Sequence, residues 1–186
     1  MKPITPETAC FFTQQVFLIG TRDEDGSAHF APISWISFTW GPPCCLVVSI
    51  NGRSRKKQTT RNIERTGRLS ATIVTPDLLP FAEQNNKATQ REGLLLPQEI
   101  EPGKVLDVPL LKGAAFSYEC EVIQSIPVGE CVTFFAAYKH VNVREDVQDL
   151  DFFDLRAINP VIYSPNHYFT VGDHLGQIGD FADHRS

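Results

Sequence analysis

Seven of the seventeen lysine and arginine side chains fall between positions 53 and 68: Arg53, Arg55, Lys56, Lys57, Arg61, Arg65 and Arg68. The hydroxyls of Ser54, Thr59 and Thr60 are interleaved with them. Lysine offers a point charge, arginine a planar fork and threonine a donor on a short stem, so all three can converge on a phosphate monoester. The segment leaves an apolar run and enters a helical pattern. A helix start presents unpaired N–H groups and partial positive charge to an anion. The same residues also fit a solvated basic helix face that pairs surplus carboxylates. On the cluster alone, both readings stand.

No other group of residues has the spacing of a known chemistry. Gly172, Gly176 and Gly179 do not make the G-x-G-x-x-G dinucleotide fingerprint. His174, His184, Asp173, Asp180 and Asp183 crowd the last fifteen residues, but in no zinc or calcium pattern. No metal site is expected, and a tail or dimer-wrapping arm is the simpler reading. The five cysteines (Cys10, Cys44, Cys45, Cys120, Cys131) include no C-x-x-C pair. Four lie in apolar or strand-like stretches, where a reduced thiol behaves as a small hydrophobe.

Strands must position the cluster. Val16–Thr21 is an apolar run closed by Asp23–Gly26, a hairpin turn signal. Ala28–Thr39 reads as one β-rich stretch that ends at Gly41-Pro42-Pro43. Cys44–Ile50 is continuous enough to be buried on both faces. Leu69–Val74, Ala115–Ile126, Val132–Val143 and Val161–Val171 add further strands. Helices are few: Thr59–Thr66 with Gly67 as its left-handed cap, a second within Asp77–Gln90 with Pro80 in its first turn, and a third at Asp149–Arg156. Residues 91–113, with three prolines, read as an irregular connection. Many short strands and intervening turns predict an antiparallel barrel or sandwich.

The length of 186 residues fits a single domain spanning 1–186. A net charge of −5 argues against a nucleic-acid partner. The N-terminal segment lacks a signal-peptide pattern, and no apolar run is long enough for a membrane helix. A cytoplasmic location is expected.

The order of these pieces resembles the flavin reductase-like, FMN-binding split-barrel family. The likeness begins at VFLIGTRDEDGSAHFAPISW. There His29, Ala31, Pro32, Ser34 and Trp35 match the family's Asn-x-Ala-Pro-x-Ser plus aromatic, with histidine in place of asparagine. It continues through Pro42-Pro43, the run CCLVVSI, and K-x-T-x-x-N-I as Lys57, Thr59, Asn62 and Ile63, then Thr66-Gly67. YECEV and KHVNVRED look like later barrel strands, and the region after Asn85-Asn86 is shorter than usual.

The resemblance implies a mainly β, antiparallel Greek-key split barrel with a few short helices, forming a homodimer with FMN near its interface. Ser34, Trp35, Ile36 and Ser37 would line the flavin ring, with Ser49, Ile50 and Asn51 at its other edge. Lys57 and Thr59 would take the phosphate, helped by Ser54 and Arg55. His29, His140 and Tyr168 are further candidates for contact with the cofactor, while Asn62 would brace the loop. Hydride transfer from NADH or NADPH to flavin needs ring positioning rather than an acid–base dyad, so no catalytic side chain is expected. Two other readings stay open: an FMN-carrying electron-transfer protein without turnover, and an anion-binding barrel without flavin. The reductase reading would supply reduced flavin to an oxygenase or another acceptor.

Overall fold

A computed structural model describes residues 13–52, 55–86, 99–147, 155–164 and 166–176. Its main sheet has seven antiparallel strands, lying side by side in the order Ala28–Ile33, Phe17–Arg22, Arg68–Ile73, Phe116–Val128, Cys131–Val143, Cys45–Asn51 and Ile36–Thr39. In chain order these are β2 (Phe17–Arg22), β3 (Ala28–Ile33), β4 (Ile36–Thr39), β5 (Cys45–Asn51), β6 (Arg68–Ile73), β9 (Phe116–Val128) and β10 (Cys131–Val143). The sheet curls until Phe17 of β2 and Phe38 of β4 meet, with ring centroids 6.0 Å apart. Its inner face is one apolar cluster built on Phe17, Ile19, Leu46, Val48, Leu69, Ala71 and Phe134. A second cluster, around Leu18, Phe30, Val74, Phe81 and Val161, lies on the other side of β2 and β3. The period-2 alternation of β2 divides its side chains between the two.

The described residues also form three short α-helices, α1 (Gln58–Thr66), α2 (Leu79–Gln84) and α3 (Leu155–Ile158), and a 3-10 turn at Glu145–Val147. Gly67 ends α1 at φ 67°, and its N–H donates to the Ile63 carbonyl, as the cap signal required. Proline sits in the first turn of α2, where no helical N–H is lost. The Asp23–Gly26 turn joins β2 to β3, with Gly26 at φ 84°.

Three expectations need correction. Ala28–Thr39 is not continuous: Ser34 and Trp35 separate β3 from β4, which pair at opposite edges of the sheet. Within 91–113, β7 (Ile100–Pro102) and β8 (Pro109–Leu111) form their own two-stranded ladder; residues 91–98 lie outside the description. Proline at a strand end costs no ladder bond there, so composition alone misread this stretch as irregular. Val161–Val171 folds back as β11 (Ile162–Ser164) and β12 (His167–Phe169), with β1 (Gln14–Gln15) completing a small sheet. Asn166 at φ 62° makes that reversal.

Cys45 and Cys120 are buried in the strands as expected, whereas Cys44 is exposed. Burial pushes the Cys120 thiol well above its ordinary range, with Cys45 and Glu119 adding to the effect. Among the described residues no helix is long and apolar enough to cross a membrane.

Candidate functional site

The buried face of α1 is mainly polar. Thr59, Thr60, Asn62 and Ile63 are buried, and of these Ile63 enters the barrel core. The polar side chains of α1 hydrogen-bond to the β2–β3 hairpin and to one another. Asn62 Nδ2 donates to Thr21 Oγ1 at 3.0 Å and to Asp23 Oδ1 at 2.7 Å. Gln58 Nε2 donates to Asp23 Oδ1 at 3.0 Å and to Asn62 Oδ1 at 2.9 Å. His29 Nε2 lies 3.0 Å from Thr59 Oγ1. Thr21 and His29 are register partners across β2 and β3, so all the hairpin's contributions arise from one end of one strand pair.

This docking orients the start of α1. Lys57 is the N-cap residue with extended backbone (φ −70°, ψ 156°) and makes no side-chain cap bond. The first turn carries no acidic residue. Its N–H groups lack partners within the helix, so the positive end is available to an anion.

A second side of α1 borders a cleft of about 540 Å³. Thr60 and Glu64 line it from the helix, with Ile50, Gly52, Arg55 and Lys56 from the segment that leads there. The tip of the β9–β10 hairpin faces them with Ser125, Pro127, Gly129, Glu130 and Val132. The Gly52 N–H donates to the Glu130 carbonyl at 2.8 Å, which ties the tip to the end of β5. Lys56 Nζ is held by both oxygens of Glu64, at 2.9 and 2.8 Å.

The expected ring residues gather along β4 and β5. Ile36 lies opposite Val48 and Ser37 opposite Val47. One step beyond that ladder, the Ser49 N–H donates to the Trp35 carbonyl at 3.0 Å, while Ile36 N–H donates to Ser34 O at 2.9 Å. Thr133 Oγ1 donates to Ser49 Oγ at 3.1 Å. Trp35 is 42% exposed and Asn51 is exposed, whereas Ile50 is buried at the cleft wall. Thus Ser34–Ser37 and Ser49–Asn51 form one shelf, and Ile50 connects it with Arg55 and α1.

Other expected residues sit elsewhere. His140 is seven residues beyond Thr133 on β10, roughly 20 Å along the strand from Ser49. Within one chain it does not join the shelf. Tyr168 donates its hydroxyl to Glu83 of α2, and α2 packs through Phe81 on Phe30. Burial first, and then the Glu83 carboxylate, hold that phenol well above its ordinary range. Ser54 falls outside the described residues. Thr59 is only 2% exposed, so its side chain is an internal brace in this structure. Thr60 belongs to the basic, hydroxyl-bearing cluster read from the sequence, whereas Ser125, Pro127, Gly129 and Glu130 of the hairpin tip were not expected at the cleft. The Gly129-Glu130 turn was their sole local signal, and it carries no information about which helix it faces.

A family model described as flavin reductase like domain matches residues 9–172. The chain belongs to that family. Solved structures of similar fold include flavoredoxin of Desulfovibrio vulgaris (Miyazaki F), 21% identical with a TM-score of 0.82, covering 97% of this chain and 99% of that one. Nitrilotriacetate monooxygenase component B from Bacillus cereus is 18% identical at a TM-score of 0.82, with coverage of 95% and 98%. A flavin reductase-type protein with a split barrel domain from Shewanella frigidimarina is 19% identical at 0.77, with coverage of 96% and 98%. The fold of this flavin reductase-like chain is accordingly the split barrel that the order of its motifs implied.

Proposed function

We propose that this flavin reductase-like protein binds FMN along the Trp35–Ser49 shelf and the start of α1, and reduces it with NADH or NADPH. The observation that carries the reading is the continuity of shelf, cleft and helix start. Ile50 links the Ser34–Ser37 and Ser49–Asn51 backbone to Arg55 and the basic, acid-free first turn of α1. The donor set fits a flavin with a terminal phosphate: Arg55 and Lys57 supply charge, and the α1 N–H groups supply donors. A cleft of about 540 Å³ falls within the size range of small-molecule sites.

When bound, flavin supplies the electron-carrying chemistry, and the chain's own task is placement and charge. Backbone groups of Ser34–Ser37 and Ser49–Asn51 orient the ring, and the half-exposed Trp35 shields one side of it. A homodimer is part of this reading. Phe38 and the fully exposed Trp40 on and beside β4, with Ile126 and Val128 on the β9–β10 hairpin, present apolar surface that a second copy would cover. An oxygenase or another acceptor would receive the electrons, in the cytoplasm.

The similarity to a flavoredoxin is as extensive as that to the other neighbours, and it supports a second reading: an FMN-carrying electron-transfer protein. The deciding experiment is the visible spectrum of the purified protein, then anaerobic addition of NADH and NADPH. Sustained oxidation of the nicotinamide with added FMN supports the reductase. Tight flavin without turnover supports the carrier. A colourless protein that ignores added FMN overturns both.

A further inference from the structure

The family's asparagine is replaced here by His29, and the structure puts that imidazole at the start of α1 rather than at the ring shelf. Its Nε2 lies 3.0 Å from Thr59 Oγ1, in the first turn of the helix. Thr59 is buried and His29 only half-buried, so the imidazole is the outer member of the pair. A hydroxyl both donates and accepts. Thr59 can therefore donate to a bare Nε2, or accept from a protonated one, without moving the ring.

We propose that His29 is a positioning residue of the phosphate end and takes up a proton when a phosphate monoester binds at the start of α1. This inference rests on the FMN reading given above. The proton comes from solvent and forms an N–H on the imidazole; no other bond is made or broken. Without a ligand, the positive helix end and the cations of the loop disfavour an imidazolium at this place. A bound phosphate reverses the sign of that local field. By linkage, whatever makes the imidazolium easier to form must also tighten the anion.

The neighbouring charges agree with this. On the side of the hairpin that His29 shares with Thr21 and Ser27 stand Asp23, whose carboxylate already accepts from Gln58 and Asn62, and Asp25, whose carboxylate accepts from Ser27. From α1 and its approach come Arg55, Lys56, Lys57, Arg61 and Arg65, with Lys56 paired to Glu64. Alternation along the strands puts Arg22, paired with Asp107, on the opposite side. Glu83 of α2 also lies there, on the side that carries Phe30. Among these named groups of the hairpin and of α1 with its approach, cations outnumber acids before a ligand arrives.

The test is calorimetric titration of FMN and of riboflavin into the flavin-free full chain and its His29→Asn variant. Each titration is made at pH 7 in three buffers of different ionisation heat. The wild type should take up roughly half a proton more with FMN than the variant does. Riboflavin, which has no phosphate, should show no such difference. The variant also reports any change in ionisation of the phosphate itself. Equal proton uptake by wild type and variant, with FMN still preferred over riboflavin, overturns the role of His29 and leaves the phosphate site standing. Equal affinity for the two flavins overturns the phosphate site and the proposal with it. Nitrogen-15 spectra of the wild-type imidazole give a readout independent of the variant's folding. An imidazolium pattern with FMN but not riboflavin supports the proposal, and an unchanged ring overturns it.

Discussion

Asn62 Nδ2 donates to Asp23 Oδ1 at 2.7 Å, joining the middle of α1 to a hairpin turn 39 positions earlier in the chain. The second hydrogen of that amide goes to Thr21 and the oxygen accepts from Gln58, so the buried amide is well satisfied. Replacing Asn62 by alanine leaves Thr21 and Asp23 short of a donor and should cost about 1–3 kcal/mol. Urea unfolding of the two proteins checks this. An unchanged midpoint would show that the polar face of α1 does not hold the helix to the barrel.

The phosphate end makes a sharper prediction about ligands. Arg55→Ala combined with Lys57→Ala should weaken FMN about tenfold to a hundredfold, the scale of one or two lost bonds to a charged group. Riboflavin should change far less. Adding Thr59→Ala to the pair tests the buried brace separately, because that loss should appear mainly in stability. Fluorescence titration with both flavins measures the contrast.

Glu119 gives a pH dependence. It is wholly buried on β9, and its carboxylate accepts from the N–H groups of Lys104, Val105 and Leu106 and from Asn142 Nδ2. Burial raises its pKa, but the bonds from Asn142, Val105, Leu106 and Lys104 outweigh that, and the net shift is downward. A carboxyl lowered in the folded state stabilises the fold above the unfolded value near 4.5, and that stabilisation is lost as pH falls through the lower folded value. Glu119→Gln should cost about 1–3 kcal/mol at pH 7 and flatten the loss of stability below pH 4.5. Thermal unfolding from pH 7 to pH 3 resolves the two curves.

Tyr138 should behave in the opposite way. Its hydroxyl is buried and has no hydrogen-bond partner among the described residues, while its ring packs on Tyr118 at 4.7 Å. Burial holds the Tyr118 phenol up to about 12, with Cys120 adding to it, and burial followed by Tyr118 raises the Tyr138 phenol further, so both rings stay neutral in ordinary buffers. Tyr138→Phe keeps the ring contact and removes the unsatisfied oxygen. It should be neutral or stabilising by up to about 1 kcal/mol. A loss of more than that in denaturant melts would mean the hydroxyl has a role the fold does not reveal.

Local physics made much of this protein legible in its residues. Alternation and apolar runs marked β2, β5, β6, β9 and β10, because burial on one or both faces writes itself into composition at a period of two. Gly67 marked the end of α1, because few other residues accept a left-handed backbone there. The basic cluster was visible for the same reason: its members are neighbours in the chain. What only the tertiary structure decided are the partnerships across long stretches of chain. His29 faces Thr59 rather than the ring shelf, Asn62 holds Asp23, and the Ser125–Glu130 tip closes a cleft on α1. Each depends on how the sheet curls and which faces meet, and a side chain carries no local mark of a partner thirty or more residues away. His140 and Tyr168 show the converse: within one chain the register of β10 and the fold-back of β12 place them away from the Ser34–Ser37 and Ser49–Asn51 segments.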